Sequence, residues 1–94
     1  MNLKKRPCLV VGGGKVAARK IHLLLKAKAK VKVVAPNLCT EVNNLATRGD
    51  IEFVSREFLE DDIAGSILVI AATNQQHINK RISQQACAKG IPVN

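Results

Sequence analysis

The stretch that decides the fold of this chain is Val10-Val11-Gly12-Gly13-Gly14-Lys15-Val16-Ala17. It continues a short apolar run that begins at Cys8, and such a run predicts a buried strand. From Lys15 to about Ala27, apolar residues recur on one helical face and basic residues on another, which predicts an amphipathic helix. Three consecutive glycines therefore lie at a predicted corner between a strand and a helix.

The glycine corner fits the dinucleotide-binding pattern G-x-G-x-x-G/A, through Gly12, Gly14 and Ala17. A glycine at position 12 lets the chain turn sharply off the strand. The missing side chain at Gly14 leaves the backbone open to a diphosphate, and Ala17 is small enough for close packing of the helix on the sheet. The N-terminus of that helix offers free N–H groups and a positive dipole end to phosphates.

The rest of the chain continues the alternation of strands and helices. Further strands are predicted at 31–35, 51–55 and 67–71, and a fifth extended segment at 91–93. We expect a short helix at 40–48 with Thr40 as its N-cap, an acidic connector at 58–63, and a last helix that begins with a Thr73–Gln76 capping box and ends at Gly90. This order predicts an α/β, Rossmann-type, doubly wound parallel sheet in three layers, α/β/α, truncated at the fifth strand. We expect residues 1–94 to be one dinucleotide-binding domain and a fragment of a longer protein.

The net charge and the aromatic content of the chain indicate which kinds of molecule it can bind. The formal net charge is +8, which favours anionic partners such as phosphates, polycarboxylates or nucleic acid. Aromatic residues make up only 2% of the chain, so it lacks the stacking platforms that many nucleic-acid binders use, and we expect no nucleic-acid partner. The same scarcity predicts a core of Val, Ile, Leu and Ala, as in parallel sheets.

Several other classes are excluded by what the sequence lacks. Its three cysteines include no C-x-x-C pair and are too few for a disulfide framework, so we expect reduced thiols. No apolar run reaches the length of a membrane helix and the N-terminus does not resemble a secretory signal, so we expect a soluble, cytoplasmic protein with no membrane partner. The histidines, His22 and His77, show no metal-ligand spacing, and no metal site is predicted; we expect His22 to be solvated.

Ligands of open parallel sheets bind beyond the carboxyl ends of the strands. Pro36 and Asn37 follow the second predicted strand, where a Rossmann fingerprint usually has an acidic residue for the ribose. Asn37 could bond a ribose hydroxyl, and the absence of an arginine there favours NAD over NADP. Thr73 and Asn74 follow the fourth strand and either border the cofactor, cap the next helix, or do both.

Taken together, these motifs resemble the N-terminal domains of the siroheme synthase family. There, too, a G-G-G-x-V-A-x-R-K stretch follows the first strand, as it does here at residues 12–20. The resemblance spans essentially the whole chain and includes the segments 23–25, 33–36, 70–74 and 92–94, together with Asn79 and Arg81.

The resemblance implies a function. The family oxidises precorrin-2 to sirohydrochlorin with NAD, and some members also insert ferrous iron to give siroheme. Family members form homodimers at full length. The cofactor-binding residues that the resemblance and the fingerprint together imply are Gly12, Gly13, Gly14, Lys15, Val16 and Ala17 at the corner, Pro36 and Asn37 by the adenosine ribose, and Thr73 and Asn74 on the nicotinamide side.

The chain departs from the family in three places. The family's proposed catalytic aspartate lies beyond the position that matches Asn94, so we predict no catalytic residue in this chain and no activity of the fragment alone. Asn74 stands where an aspartate is common. Lys28 stands where a glycine usually follows the first helix, and a left-handed lysine there would cost about 1 kcal/mol relative to glycine.

Two other functions remain open at this point. One is a regulatory nucleotide-sensing Rossmann domain of the potassium-transport type, which usually keeps an acidic residue at the end of the second strand. This chain has Ala35-Pro36-Asn37 there, which favours the enzyme. The other is a Rossmann domain that has lost its ligand and serves as an interaction module.

Overall fold

The computed structural model describes residues 2–94. Within this range the chain alternates strands and helices as the sequence predicts. In chain order the elements are β1 (Pro7–Val11), α1 (Lys15–Lys26), β2 (Lys30–Ala35), α2 (Thr40–Thr47), β3 (Glu52–Ser55), a single 3-10 turn (Glu60–Ile63), β4 (Leu68–Ala71) and α3 (Gln76–Ala88).

The strands form one parallel sheet in the order β3-β2-β1-β4. The predicted fifth segment lies beside β4, where Val93 forms a parallel bridge with Val69. There the Val69 N–H donates to the carbonyl of Pro92 at 3.0 Å, and the Asn94 N–H donates to the carbonyl of Val69 at 2.9 Å. The order reverses on the two sides of β1, which confirms the doubly wound Rossmann topology and places a switch point between β1 and β4.

Helices cover both faces of the sheet, which confirms the three layers. Because side chains alternate along a strand, Cys8 and Val10 of β1 face α1 and α2, whereas Leu9 and Val11 face α3 and the 3-10 turn. Each face has its own aliphatic cluster. The largest fully buried side chains in the described residues are Leu9, Ile21, Ile63, Ile82, Val10, Val33, Val34, Val42 and Val69.

Two of the predicted helix starts are wrong. Cys39, not Thr40, is the N-cap of α2, and its side chain makes no capping bond. Gln75 is the N-cap of α3, so Thr73 and Gln76 do not form a capping box. The hydroxyl of Thr73 instead donates to Oδ1 of Asn79, one turn into α3, at 2.7 Å.

All three helices end in the same backbone motif, in which a left-handed residue follows the C-cap. That residue is Gly49 after α2 (φ +81°) and Gly90 after α3 (φ +71°), but it is Lys28 after α1 (φ +61°). After α1, the N–H groups of Lys28 and Ala29 donate back to the last turn at 2.9 and 3.1 Å. Lys28 therefore adopts the left-handed conformation whose cost relative to glycine was considered from the sequence.

None of the helices in residues 2–94 combines the length and the apolar character needed to span a bilayer. Within the same residues the cysteines are free thiols: Cys8 is buried, Cys39 is half-buried and Cys87 is exposed. Burial raises the pKa of the Cys8 thiol above its ordinary value, although Arg6 opposes the shift, so this thiol is protonated at neutral pH.

Candidate functional site

A cleft of about 470 Å³ opens at the carboxyl edge of the sheet, at the switch point between β1 and β4. The glycine corner after β1 forms its floor, and the segments after β2, β3 and β4 form its walls. The cleft is lined by every sequence-predicted binding residue except one: Gly12, Gly13, Gly14, Lys15, Val16, Pro36, Asn37, Thr73 and Asn74. The exception, Ala17, is fully buried beneath the corner, where it packs α1 onto the sheet.

Neighbouring backbone atoms leave no room for a side chain at Gly12 or Gly13. A Cβ on Gly12, whose φ is +125°, would lie 2.3 Å from the carbonyl oxygen of Ala72 at the end of β4. A Cβ on Gly13 would lie 2.2 Å from the carbonyl oxygen of Asn37 beyond β2. Both distances are far below any van der Waals contact, so only glycine lets the corner pack between the ends of these two strands.

The corner is also hydrogen-bonded to the segments that flank it. The Gly12 N–H donates to the carbonyl of Val34 at 3.0 Å, and the carbonyl of Gly13 accepts from the N–H of Cys39 at 2.7 Å. The chain is therefore held on the β2 side before α1 begins, and the direction of α1 is fixed relative to the cleft.

Gly14 differs from the two glycines before it. A Cβ built on this residue meets no heavy atom within 4 Å, because it would point into open space. Its φ of −93° and ψ of −162° are extended values that any residue can adopt. Neither packing nor backbone conformation within the domain requires glycine at position 14, yet the residue lines the cleft.

Gly14 is the N-cap of α1, and no side chain caps this helix. The first intrahelical bond of α1 runs from the Ala18 N–H to the carbonyl of Gly14 at 2.9 Å, so the N–H groups of residues 15–17 precede any helical acceptor. No acidic residue lies in the first turn. These N–H groups and the positive end of the helix dipole, beside the exposed Lys15, form a site suited to an anion.

The β4 wall of the cleft is fixed by Asn79 of α3. Its Oδ1 accepts from the backbone N–H of Thr73 at 3.0 Å, and its Nδ2 donates to the carbonyl of Thr73 at 3.0 Å. Thr73 is thereby immobilised through both backbone and hydroxyl, while Asn74 beside it is exposed. The hypothesis that Thr73 only caps the next helix is wrong, because Gln75 is the N-cap of α3 and Thr73 is hydrogen-bonded to Asn79 instead.

The wall of the cleft that follows β3 was not predicted from the sequence. Glu57 and Phe58 line the cleft there, together with Gln75 and Ile78 at the start of α3. A signal for the first two existed, since residues that follow any strand of a parallel sheet come to the same edge.

The β3 wall is fixed by a two-pronged ion pair. Nη1 and Nη2 of Arg56 donate to Oδ2 and Oδ1 of Asp62 at 2.8 and 2.6 Å, and the Leu59 N–H donates to Oδ2 at 2.8 Å. The Asp62 side chain is only 3% exposed. The hydrogen bonds from Arg56 hold the pKa of the Asp62 carboxyl below its ordinary value against the opposing effect of burial, with further help from the Leu59 N–H and Lys32.

The two histidines lie apart from any metal-binding group. The expectation that His22 is solvated is confirmed, because its side chain is about half exposed; the structure adds a hydrogen bond between His22 on α1 and Glu41 of α2 that the sequence did not predict. His77 is exposed in the first turn of α3. Residues 2–94 contain no cluster of three or more His, Cys, Asp or Glu side chains able to hold a metal ion.

Comparison with known proteins agrees with this geometry. A family model described as "Putative NAD(P)-binding" matches residues 1–94. The siroheme synthase of Thioalkalivibrio sulfidiphilus (strain HL-EbGR7) is 49% identical over 94 residues, which cover 100% of this chain and 19% of that protein. The siroheme synthase of Vesicomyosocius okutanii subsp. Calyptogena okutanii (strain HA) is 44% identical over 94 residues, or 100% of this chain and 20% of that protein.

Among solved structures, the chain is similar to SirC, precorrin-2 dehydrogenase, with a TM-score of 0.86 and 33% identity. That match covers 100% of this chain and 46% of the other. The chain thus spans about a fifth of the length of its curated relatives. Its parallel sheet, its glycine corner and the match from end to end show that this chain belongs to the NAD(P)-binding family whose model covers it.

Proposed function

We propose that this chain is the NAD-binding domain of a precorrin-2 dehydrogenase, which oxidises precorrin-2 to sirohydrochlorin in siroheme biosynthesis. The proposal is supported by the siroheme synthases and the precorrin-2 dehydrogenase to which the whole chain is similar. These relatives favour the enzyme over a regulatory domain of potassium transport. In this proposal residues 1–94 are one domain of a longer protein.

The observation that carries the proposal is the pairing of Gly14 with an uncapped helix. The domain's own packing leaves the space in front of Gly14 open, and no side chain caps the first-turn N–H groups of α1, the helix that begins directly after it. A diphosphate supplies what this corner lacks, namely several oxygen acceptors and a negative charge. An interaction module with no ligand would gain stability from Ser, Asn or Asp at such an N-cap.

The other wall residues then take positions along the dinucleotide. The N–H groups of residues 15–17, which have no helical acceptor, hold the diphosphate beside the three glycines, and the side chain of Ala17 packs behind them. Pro36 and Asn37 lie by the adenosine ribose, and Thr73 and Asn74 border the nicotinamide. Asn79 contributes indirectly, because it fixes Thr73 through three hydrogen bonds.

Bound NAD would accept a hydride from the tetrapyrrole, and the task of this domain is to hold and orient it. The residues that line the cleft include no histidine and no cysteine, and their one carboxylate is Glu57. We therefore assign proton transfer in the full reaction to groups outside this domain. The net charge of +8 would favour the approach of a polycarboxylate such as precorrin-2.

Three further parts of the proposal rest on the family resemblance and concern the full-length protein. They are homodimer formation, use of ferrous iron as a second substrate, and a cytoplasmic location. The free thiols of the domain are compatible with a reducing compartment. Sedimentation of the full-length protein tests the dimer, and siroheme formation from sirohydrochlorin and ferrous iron tests the chelatase.

The substitution Gly14→Ser tests the diphosphate site. A serine at the N-cap accepts from first-turn N–H groups, so the free energy of unfolding should rise by a few tenths of a kcal/mol. The same side chain occupies the place of the diphosphate, so NAD affinity should fall about tenfold or more, equivalent to about 1.4 kcal/mol or more. Calorimetric titration with NAD and thermal unfolding without it measure the two effects.

These opposite directions distinguish the proposal from a structural role for Gly14. A loss of stability together with a loss of binding would mean that Gly14 serves the fold, and unchanged NAD affinity would refute the diphosphate site. Ala27→Ser is the matched control, because Ala27 is exposed and is the C-cap at the far end of α1. It should leave NAD affinity unchanged.

A further inference from the structure

We propose that Glu57 binds the adenosine ribose of the cofactor and makes this domain prefer NAD to NADP. The carboxylate that a Rossmann fingerprint normally places at the end of the second strand would then come from the end of the third. This inference rests on the proposed function, because it concerns the same cleft.

The strand register places Glu57 beside the ribose position. Ser55, the last residue of β3, pairs with Ala35, the last residue of β2. The two chains stay together beyond the sheet, since the Ser55 hydroxyl donates to the carbonyl of Pro36 at 3.4 Å. Two residues after Ser55 comes Glu57, and two after Ala35 comes Asn37, which occupies the ribose position of the fingerprint. Both residues line the cleft.

The backbone of Glu57 is held on both sides. Nη1 of Arg56 donates to the carbonyl of Glu57 at 3.0 Å, and the same guanidinium is bonded to the buried Asp62. The next residue, Phe58, is only 6% exposed and packs in the core beneath α3. The exposed carboxylate of Glu57 therefore extends from an anchored segment rather than from a free loop.

Charge at the cleft supports the assignment. Among the described residues that line it, Glu57 is the only acidic side chain and Lys15, at the diphosphate corner, the only basic one. A carboxylate accepts hydrogen bonds from ribose hydroxyls, and it repels the 2′-phosphate that distinguishes NADP from NAD. The neutral side chain of Asn37 can accept hydrogen bonds from the ribose hydroxyls, but it does not repel a 2′-phosphate.

The test is a titration of the wild-type protein and of Glu57→Gln with NAD and with NADP. The amide is close to the carboxylate in size but lacks its charge, so NAD affinity should fall and NADP affinity should rise. The ratio of the two dissociation constants should shift toward NADP by roughly tenfold, as for loss of a hydrogen bond to a charged acceptor. The matched control is Asp61→Asn, which removes the same charge four residues further along the chain, at an exposed residue that does not line the cleft.

Each result bears on the inference in a definite way. If Glu57→Gln weakens both cofactors equally, the carboxylate contacts a part that they share, and the ribose assignment is overturned. An unchanged ratio, or an equal shift in Asp61→Asn, also overturns it. If the wild-type protein binds neither dinucleotide, the proposed function itself fails.

A rescue experiment provides a second measurement. The substitution Asn37→Asp in the Glu57→Gln background returns a carboxylate to the neighbouring strand end, where the fingerprint usually has it. The double variant should regain most of the preference for NAD. Failure to regain it, with NAD still bound, would show that discrimination does not depend on a carboxylate at this ribose.

Discussion

The two edges of the sheet use glycine for different reasons. At the amino edge, where the helices end, Gly49 and Gly90 follow α2 and α3 with positive φ, and a Cβ on either would meet nothing within 4 Å. Lys28 occupies the same place after α1. At the carboxyl edge, Cβ atoms at Gly12 and Gly13 would collide with the backbone that follows β4 and β2, whereas Gly14 has neither a collision nor a positive φ.

The comparison shows which glycines the fold itself explains. A left-handed backbone favours glycine by only about 1 kcal/mol, and the chain accepts a lysine at one of its three helix ends. Collision with backbone has no comparable remedy, because a strand end cannot move aside as a flexible side chain does. Gly14 is explained by neither reason, and its role therefore has to be sought in what enters the cleft.

The largest effect should come from Gly12→Ala. The new methyl group would lie 2.3 Å from the Ala72 carbonyl oxygen at an unfavourable φ, so strain and overpacking together should cost about 3 to 4 kcal/mol. That is a large share of the total stability of roughly 5–14 kcal/mol expected for a domain of this length. Urea unfolding measures the loss, and a Gly49→Ala variant at the amino edge should lose only about 1 kcal/mol. Equal losses in the two variants would contradict the comparison.

A second, smaller effect should come from Asp62→Asn at the carboxyl edge. The neutral amide cannot accept both prongs of Arg56 together with the Leu59 N–H, so unfolding free energy at pH 7 should fall by about 2 kcal/mol. The control, Asp61→Asn on the same turn, is exposed and should stay within about 0.5 kcal/mol of the wild type.

The effect of Asp62 should depend on pH in a direction set by its lowered pKa. A carboxyl with a lower pKa in the folded state stabilises the fold above its ordinary value of 3.8, and this contribution is lost as the pH falls through the folded pKa. The difference between wild type and Asp62→Asn should therefore be full at pH 7 and shrink below about pH 4. A difference that grows on acidification would rule out the ion pair as its source.

The smallest effect should come from Lys28→Gly at the amino edge. Glycine adopts φ +61° without strain, so thermal unfolding should show a gain of up to about 1 kcal/mol. The reciprocal change, Gly90→Lys, should lose a similar amount at the equivalent position after α3. Opposite changes of similar size would establish that the two helix ends share one backbone conformation and differ only in the residue that adopts it.

Much of the fold could be predicted because the deciding signals are local. The apolar run at Cys8–Val11, the glycines after it and the helical spacing of Ala17 and Ile21 lie within about fifteen residues of one another. These patterns predicted the strands and helices of the structure to within a few residues, as well as the parallel sheet and its three layers.

The errors came from partners distant in sequence. The Thr73–Gln76 spacing satisfies the capping-box pattern, but Asn79 takes the hydroxyl of Thr73 instead. The hydrogen bond between His22 and Glu41, nineteen residues away, was not predicted either, because it depends on how α1 and α2 pack. The place of Glu57 in the cleft follows from the pairing of β3 with β2, which no local pattern encodes.

The uncapped start of α1 has a consequence for how the stability of the protein would depend on the concentration of NAD. Under the proposed function, the dinucleotide is itself the missing end group of the first helix, so folding and ligand occupancy are thermodynamically linked. At a free NAD concentration one hundred times its dissociation constant, this linkage would add about 2.7 kcal/mol to the stability of the native state. A cell depleted of the cofactor would then hold a less durable enzyme, more exposed to proteolysis, as well as a less active one.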